Sequence, residues 1–252
     1  MAKLPRRAVL RGAAENLTPG LFELGGKGAN LVFADADLDA ATPFSVIAAY
    51  MLTGQACSAP TRLIAEASIY DEMVERLAAA ARTFAVGDPL QSGTSAGPLI
   101  SAQARDRAMG YVTRAAAQGA RVVVGGEPME GELASGFFMR PAIVADVKPE
   151  SELAQHEVFG PVIAVTPFTG EDQAIEIANG TPYGLVNFIQ TRDLGRVRRL
   201  AGRLRSGGVA VNGKAGLHYS APFGGVGLSG YGREGGRAGL DEFVRPKTVM
   251  IG

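Results

Sequence analysis

The chain has 252 residues, room for one large domain or two small ones, and its 46% hydrophobic and 20% charged residues are a soluble, globular balance. Twenty-five basic residues against 25 acidic ones give a formal net charge of zero, which argues against a general nucleic-acid or membrane surface. A single cysteine precludes an internal disulfide and points to a reducing cytoplasm, and no apolar run approaches the ~18 residues of a membrane helix.

Met1 to Arg11 carries Lys3, Arg6, Arg7 and Arg11 and no acid. Twin-arginine signals and organelle transit peptides look similar, but a secretory signal needs an apolar stretch of roughly 7–15 residues and none follows. The segment reads as a basic helix, interrupted near Gly12 and ending before Pro19. Periods of two and of 3.6 then alternate. Asn30–Phe33 reads as a strand, Asp37–Leu52 as an apolar helix and Arg62–Ala65 as a strand. Ser68–Asp71 has the form of a capping box opening a helix along Ile69, Met73, Leu77 and Phe84. A Gly-, Pro- and Ser-rich loop spans Gly87–Gly97, a helix runs from Ser101 to Gln118 with Gly119 at its C-cap, and Arg121–Val124 is a strand.

The second half repeats the rhythm. Phe137–Val147, Pro161–Phe168, Gly184–Thr191 and Gly208–Asn212 read as strands, with helices over Glu171–Asn179 and Asp193–Arg205. Ser229–Gly239 reads as irregular and Arg245–Ile251 as a last, short strand. Such alternation implies an α/β fold with a largely parallel sheet.

Cys57 stands between a helix and a strand, with Gly54 and Pro60 breaking regular structure on either side. A loop held by rigid elements suits a nucleophile; a small buried hydrophobe is the competing role for a lone cysteine. Glu23 lies between apolar neighbours before Gly25-Gly26-Lys27. Apolar surroundings raise a carboxyl pKa and fit a general base; pairing with Lys27 on a solvated edge is the alternative. Gly225–Gly230 and Gly230–Gly235 both match GxGxxG, but neither has the strand–turn–helix context of a dinucleotide fingerprint, and both read as packing loops. Two histidines and one cysteine without helical metal spacing argue against a metal site, and there is no GxSxG elbow.

Together these pieces resemble the aldehyde dehydrogenase superfamily. Glu23-Leu24-Gly25-Gly26-Lys27 is similar to its general-base motif, and Gly54-Gln55-Ala56-Cys57 to its nucleophile motif. Glu157-Val158-Phe159-Gly160-Pro161 resembles the segment that touches the nicotinamide ribose, and Pro222-Phe223-Gly224-Gly225 with Ser229-Gly230 and Gly232-Arg233-Glu234 the C-terminal signature. The resemblance runs from about Val9 to the last residue.

It implies a three-layer α/β catalytic domain and oxidation of an aldehyde to a carboxylic acid with NAD or NADP. Cys57 would form a thiohemiacetal and then a thioester, Glu23 would activate the hydrolytic water, and the Cys57 backbone N–H would serve the oxyanion. Glu157 would hold the ribose hydroxyls and Phe159 would pack near the ring. Ala56, Ser58 and Phe223 would line the substrate pocket, with Leu217, His218, Tyr219 and Ser220 at its entrance, and Lys27, Arg62 and Asn212 in support. Family members are about twice as long, so the resemblance places residues 1–24 as a remnant of a Rossmann-type cofactor domain, 25–243 as the catalytic domain and 244–252 as an oligomerisation strand. Gly227 stands where the family commonly has Lys. The partners implied are a small aldehyde and either a second copy or a chain supplying the cofactor domain, with no nucleic acid or membrane. A cofactor-free thiol esterase and an inactive fragment acting only in assembly are the alternatives.

Overall fold

The computed structural model describes residues 3–213 and 218–252. In chain order the first half forms α1 (Lys3–Glu15), β1 (Phe22–Glu23), β2 (Ala29–Val32), α2 (Leu38–Tyr50), β3 (Arg62–Glu66), α3 (Tyr70–Arg82), α4 (Ala102–Ala117) and β4 (Arg121–Val124). The second half adds β5 (Ala142–Ala145), α5 (Glu152–Gln155), β6 (Val162–Phe168), α6 (Gly170–Asn179), β7 (Val186–Gln190), α7 (Leu194–Ala201), β8 (Gly208–Val211), β9 (Gly230–Tyr231) and α8 (Gly236–Glu242).

Seven strands form one sheet in the order β4-β5-β6-β3-β2-β7-β8, parallel except for the β4–β5 pair. The central strands are apolar on both faces because both are covered. Leu63, Ala65, Ile163 and Val165 meet Val46 and Tyr50 of α2 and Met73 and Leu77 of α3 on one face. On the other, Val162 and Ala164 meet Ala104, Ala108 and Val112 of α4. Leu31 and Ile64 meet Ala174 and Ile177 of α6 and Leu200 of α7 on that second face. This is the three-layer, largely parallel α/β architecture expected from the sequence. No helix among the described residues is long and apolar enough to cross a membrane.

Local chemistry explains most boundaries. Asp37, Ser101 and Asp193 cap α2, α4 and α7, their side chains accepting from Ala40, Ala104 and Gly195 amides at 3.2, 3.1 and 2.7 Å. Several expectations need correction. α1 runs through Gly12 without interruption. Ser68 is taken up in a single 3-10 turn, Ala67–Ile69, so its hydroxyl does not cap α3. The strand expected over Phe137–Val147 shrinks to Ala142–Ala145, because Pro141 has no N–H for a ladder. The helix expected to Arg205 stops at Ala201 ahead of Gly202, and the Arg205 guanidinium turns instead to the Asn179 and Thr181 carbonyls. Ser229–Gly239 is more regular than its glycines suggest, holding β9 and the start of α8. Arg245–Ile251 forms no strand in the chain alone; Pro246 lacks a donor, and Val249, Met250 and Ile251 are exposed.

One buried arginine ties the sheet to the segment that follows β1. Arg62 on β3 donates to the carbonyls of Lys27, Ile177 and Ala178 at 2.9, 2.8 and 2.8 Å. Burial lowers its pKa to about 10, so it stays charged at neutral pH. Arg62→Met strands three carbonyls and is expected to cost about 3–5 kcal/mol in urea unfolding; a loss under about 1 kcal/mol would contradict this role.

Candidate active site

Helix α2 ends against a turn of unusual backbone. Leu52, Thr53 and Gly54 have φ of +52°, +58° and +70°, three consecutive left-handed residues. For the two that are not glycine this costs about 1–2 kcal/mol each. The turn is held from outside. Thr53 Oγ1 donates to the Gly97 carbonyl at 3.1 Å, and Gln55 Oε1 accepts from the Ile100 amide at 2.9 Å. Gly54 packs on the backbone of Gly160 and Pro161 so closely that a Cβ would overlap it. The reversal delivers Cys57, half-buried, to the sheet's edge of the cleft.

Glu23 reaches the same cleft on β1, which pairs antiparallel with β9: Phe22 with Tyr231 and Glu23 with Gly230. Gly230, at φ +108°, lies against the Phe22 carbonyl where a side chain would collide. Both carboxyl oxygens of Glu23 are shielded and accept no hydrogen bond. Burial raises the Glu23 pKa and the charge of Glu234 adds to the rise, while Arg233 and the nearby Gly225 amide, too poorly aligned for a full hydrogen bond, oppose it. Glu23 makes no ion pair with Lys27.

Glu157 and Phe159 follow α5. Glu157 Oε1 accepts from the Gly26 amide at 3.0 Å, and its carboxyl fills the space a Gly25 side chain would need. Phe159, at φ +55° and 36% exposed, stands at the mouth. Glu23, Leu24, Gly25, Cys57, Glu157 and Phe159 line one cleft of about 410 Å³, completed by Arg107 and Tyr111 of α4. Its size is near the lower end of small-molecule sites, room for part of a dinucleotide. The missing side chain at Gly25 lets the Glu157 carboxyl lie against this backbone at the wall of the cleft.

The structure thus brings four expected residues together: Cys57, Glu23, Glu157 and Phe159. Ala56, Ser58 and Phe223 do not line this cleft. Ala56 accepts from Ala59 in a tight turn, and Phe223 is bridged to Glu234 through backbone bonds of 2.6 and 2.7 Å. Asn212 fastens the ends of β7 and β8 through Thr191, at 3.0 and 2.9 Å. His218, Tyr219 and Ser220 are exposed, and Leu217 lies outside the described residues. Arg107 and Tyr111 were not singled out from the sequence, since four residues apart on a helix they carry no motif of their own. The two GxGxxG matches are packing loops: Gly225 rests on Ser229, and Gly224 beside Glu23.

Burial raises the Cys57 pKa; the backbone amides of Cys57 and Ser58 pull it down, and the charges of Glu23 and Glu157 push it up. In the free chain the sulfur is therefore a thiol at neutral pH. Residues 6–249 match the aldehyde dehydrogenase family. The chain belongs to that family. It is 38% identical over 244 residues to betaine aldehyde dehydrogenase of Bacillus subtilis (strain 168), covering 96% of this chain and 50% of that protein. It is 39% identical over 238 residues to a 3-succinoylsemialdehyde-pyridine dehydrogenase of Pseudomonas sp, with 94% and 50% covered. Its fold superposes on betaine aldehyde dehydrogenase of Staphylococcus aureus in complex with NAD+ with a TM-score of 0.92 at 35% identity, covering 94% of this chain and 48% of that one. The chain spans about half the length of the curated relatives it matches.

Alkylation of Cys57 by iodoacetamide, followed against pH, should have a midpoint above the ~8.5 of a free cysteine. Glu23→Gln removes a neighbouring charge and should lower that midpoint, speeding alkylation at pH 8 by roughly threefold. An unchanged profile would place the carboxyl too far from the sulfur.

Proposed function

We propose that this chain carries the covalent chemistry of aldehyde oxidation to a carboxylic acid with NAD(P)+. The convergence of Cys57, Glu23 and Glu157 in one cleft is the observation that supports it. Cys57 gives up its thiol proton to solvent as Sγ bonds to the aldehyde carbon, and the carbonyl electron pair moves to oxygen, where the Cys57 backbone N–H is the donor this chain offers. When bound, NAD(P)+ supplies the two-electron acceptor that lets the thiohemiacetal become a thioester. Glu157 would hold the ribose of that cofactor, with Phe159 at the mouth of the cleft. Glu23, whose oxygens are buried and free to accept, takes a proton from the water that attacks the thioester. The acid leaves, and the sulfur returns to the thiol.

The remaining cofactor contacts belong, on this reading, to the half of the relatives that this chain does not span. Residues 1–24 then adjoin that cofactor domain, 25–243 make the catalytic domain, and the reaction is cytoplasmic. Cys57 and Glu23 sharing one cleft also favours a second reading, thiol-dependent ester hydrolysis without a cofactor.

An activated ester tests the two residues directly. Wild-type chain should become acylated on Cys57, read by mass spectrometry, and turn over. Glu23→Gln should acylate but release acid about 100- to 10,000-fold more slowly, so that acyl-enzyme accumulates. Ester hydrolysis that persists in Cys57→Ala would exclude the assignment.

The exposed segment 244–252 is proposed as the strand that pairs with a second subunit. Removing it should shift the sedimenting species of the purified chain from oligomer to monomer; an unchanged distribution would rule this out.

A further inference from the structure

The Gly-, Pro- and Ser-rich loop Gly87–Gly97 does not line the cleft of Cys57, yet the segment that leaves it is tied to the nucleophile loop. Buried Thr53 donates from Oγ1 to the Gly97 carbonyl at 3.1 Å, and Gln55 Oε1 accepts from the Ile100 amide at 2.9 Å. Gln55 also closes the turn on itself. Its Nε2 and its backbone N–H donate to the Leu52 carbonyl at 3.2 and 3.1 Å. One side chain thus bridges the turn to a segment 45 residues away. The bridge uses a donor and an acceptor at the same tip, which a primary amide supplies. Glutamate would keep the acceptor and lose the donor, and methionine would lose both.

The turn needs such a tie. Leu52 and Thr53 stand at φ/ψ of +52°/+32° and +58°/+35°. Side chains with a Cβ avoid this conformation, and it persists only where surrounding contacts over-determine it. Little chain separates the tie from the sulfur, since only Ala56 lies between Gln55 and Cys57. The Cys57 carbonyl lies against Gly26, and Cys57 shares the cleft with Glu23. A turn that relaxed at Leu52 or Thr53 would carry Cys57 away from both.

We propose that Gln55 is a positioning residue for Cys57: its side-chain amide fastens the left-handed turn to the Gly97–Ile100 segment and so sets where the sulfur stands in the cleft. The Thr53 hydroxyl is the second tie. The consequence for catalysis rests on the reading of Cys57 as the nucleophile, while the placement of the sulfur stands apart from it.

Gln55→Met removes the tie, and two reagents read the result. Acylation by p-nitrophenyl acetate requires the sulfur to meet a carbonyl carbon beside the oxyanion donor, whereas alkylation by iodoacetamide requires only an accessible thiolate. In Gln55→Met the acylation rate constant should fall about 10- to 100-fold, while the limiting alkylation rate at high pH stays within about twofold of wild type. Gln55→Glu should fall in between, and Thr53→Ser, which keeps the hydroxyl, should match wild type. Leu52→Gly removes the Cβ that disfavours the turn, so added to Gln55→Met it should bring acylation back to within about threefold of wild type. General damage to packing would not be repaired by removing a further side chain. The pH midpoint of alkylation gives a readout free of ester chemistry. The shift of that midpoint in Glu23→Gln reports how near the carboxyl stands to the sulfur, and it should be at most about half as large in a Gln55→Met background. A shift of equal size in both backgrounds overturns the proposal. If the wild-type chain is not acylated but the shift shrinks in Gln55→Met, Gln55 still positions the sulfur and the nucleophile reading fails.

Discussion

Gly26 has no side chain, and the backbone carbonyl of Cys57 occupies the space where one would stand. Gly54 lies as closely on the Gly160–Pro161 backbone, and Gly25 on the Glu157 carboxyl. Through these contacts the Glu23 segment, the Cys57 loop and the Glu157 loop press closely together. Side-chain packing could not bring three loops from separate parts of the sequence so near. The price is borne locally, in the left-handed turn at Leu52 and Thr53, and the surrounding hydrogen bonds from Thr53 and Gln55 hold that strain in place.

The parallel sheet makes the arrangement possible. Glu23 and Lys27 lead into β2, Cys57 leads into β3 and Glu157 leads into β6, so all three loops gather at one end of adjacent strands. Arg62, on the central β3, reaches back to the Lys27 carbonyl and across to the end of α6. The chemistry at the cleft is consequently electrostatic in character. Burial first, and then the charges of Glu23 and Glu157, raise the pKa of the Cys57 thiol.

Much of this was legible from sequence where a local rule met no competitor. Asp37, Ser101 and Asp193 start helices because each side chain caps an otherwise free amide. The motifs around Cys57, Glu23 and Glu157 stood out by their resemblance to a known family, and the close backbone contacts at Gly26 and Gly54 give a physical reason for glycine there. The failures lie where tertiary context decided. Ser68 carried a capping pattern, but a 3-10 turn moved the helix start past it. Arg245–Ile251 has the composition of a strand but pairs with no strand among the described residues. The β1–β9 pair joins segments some 200 residues apart, which no local period reveals. Nothing local marks Arg107 and Tyr111 on α4, because only the folded sheet brings them to the cleft of Cys57.

The central claim is that Cys57 and Glu23 carry out aldehyde oxidation together. Its most direct test is absorbance at the NADH band, with the chain supplied with NAD+ or NADP+, a panel of aldehydes and the matching other half of the Bacillus subtilis betaine aldehyde dehydrogenase. The account predicts reduction of the cofactor that disappears in Cys57→Ala and slows strongly in Glu23→Gln. Reduction that survives in Cys57→Ala at the wild-type rate would contradict it.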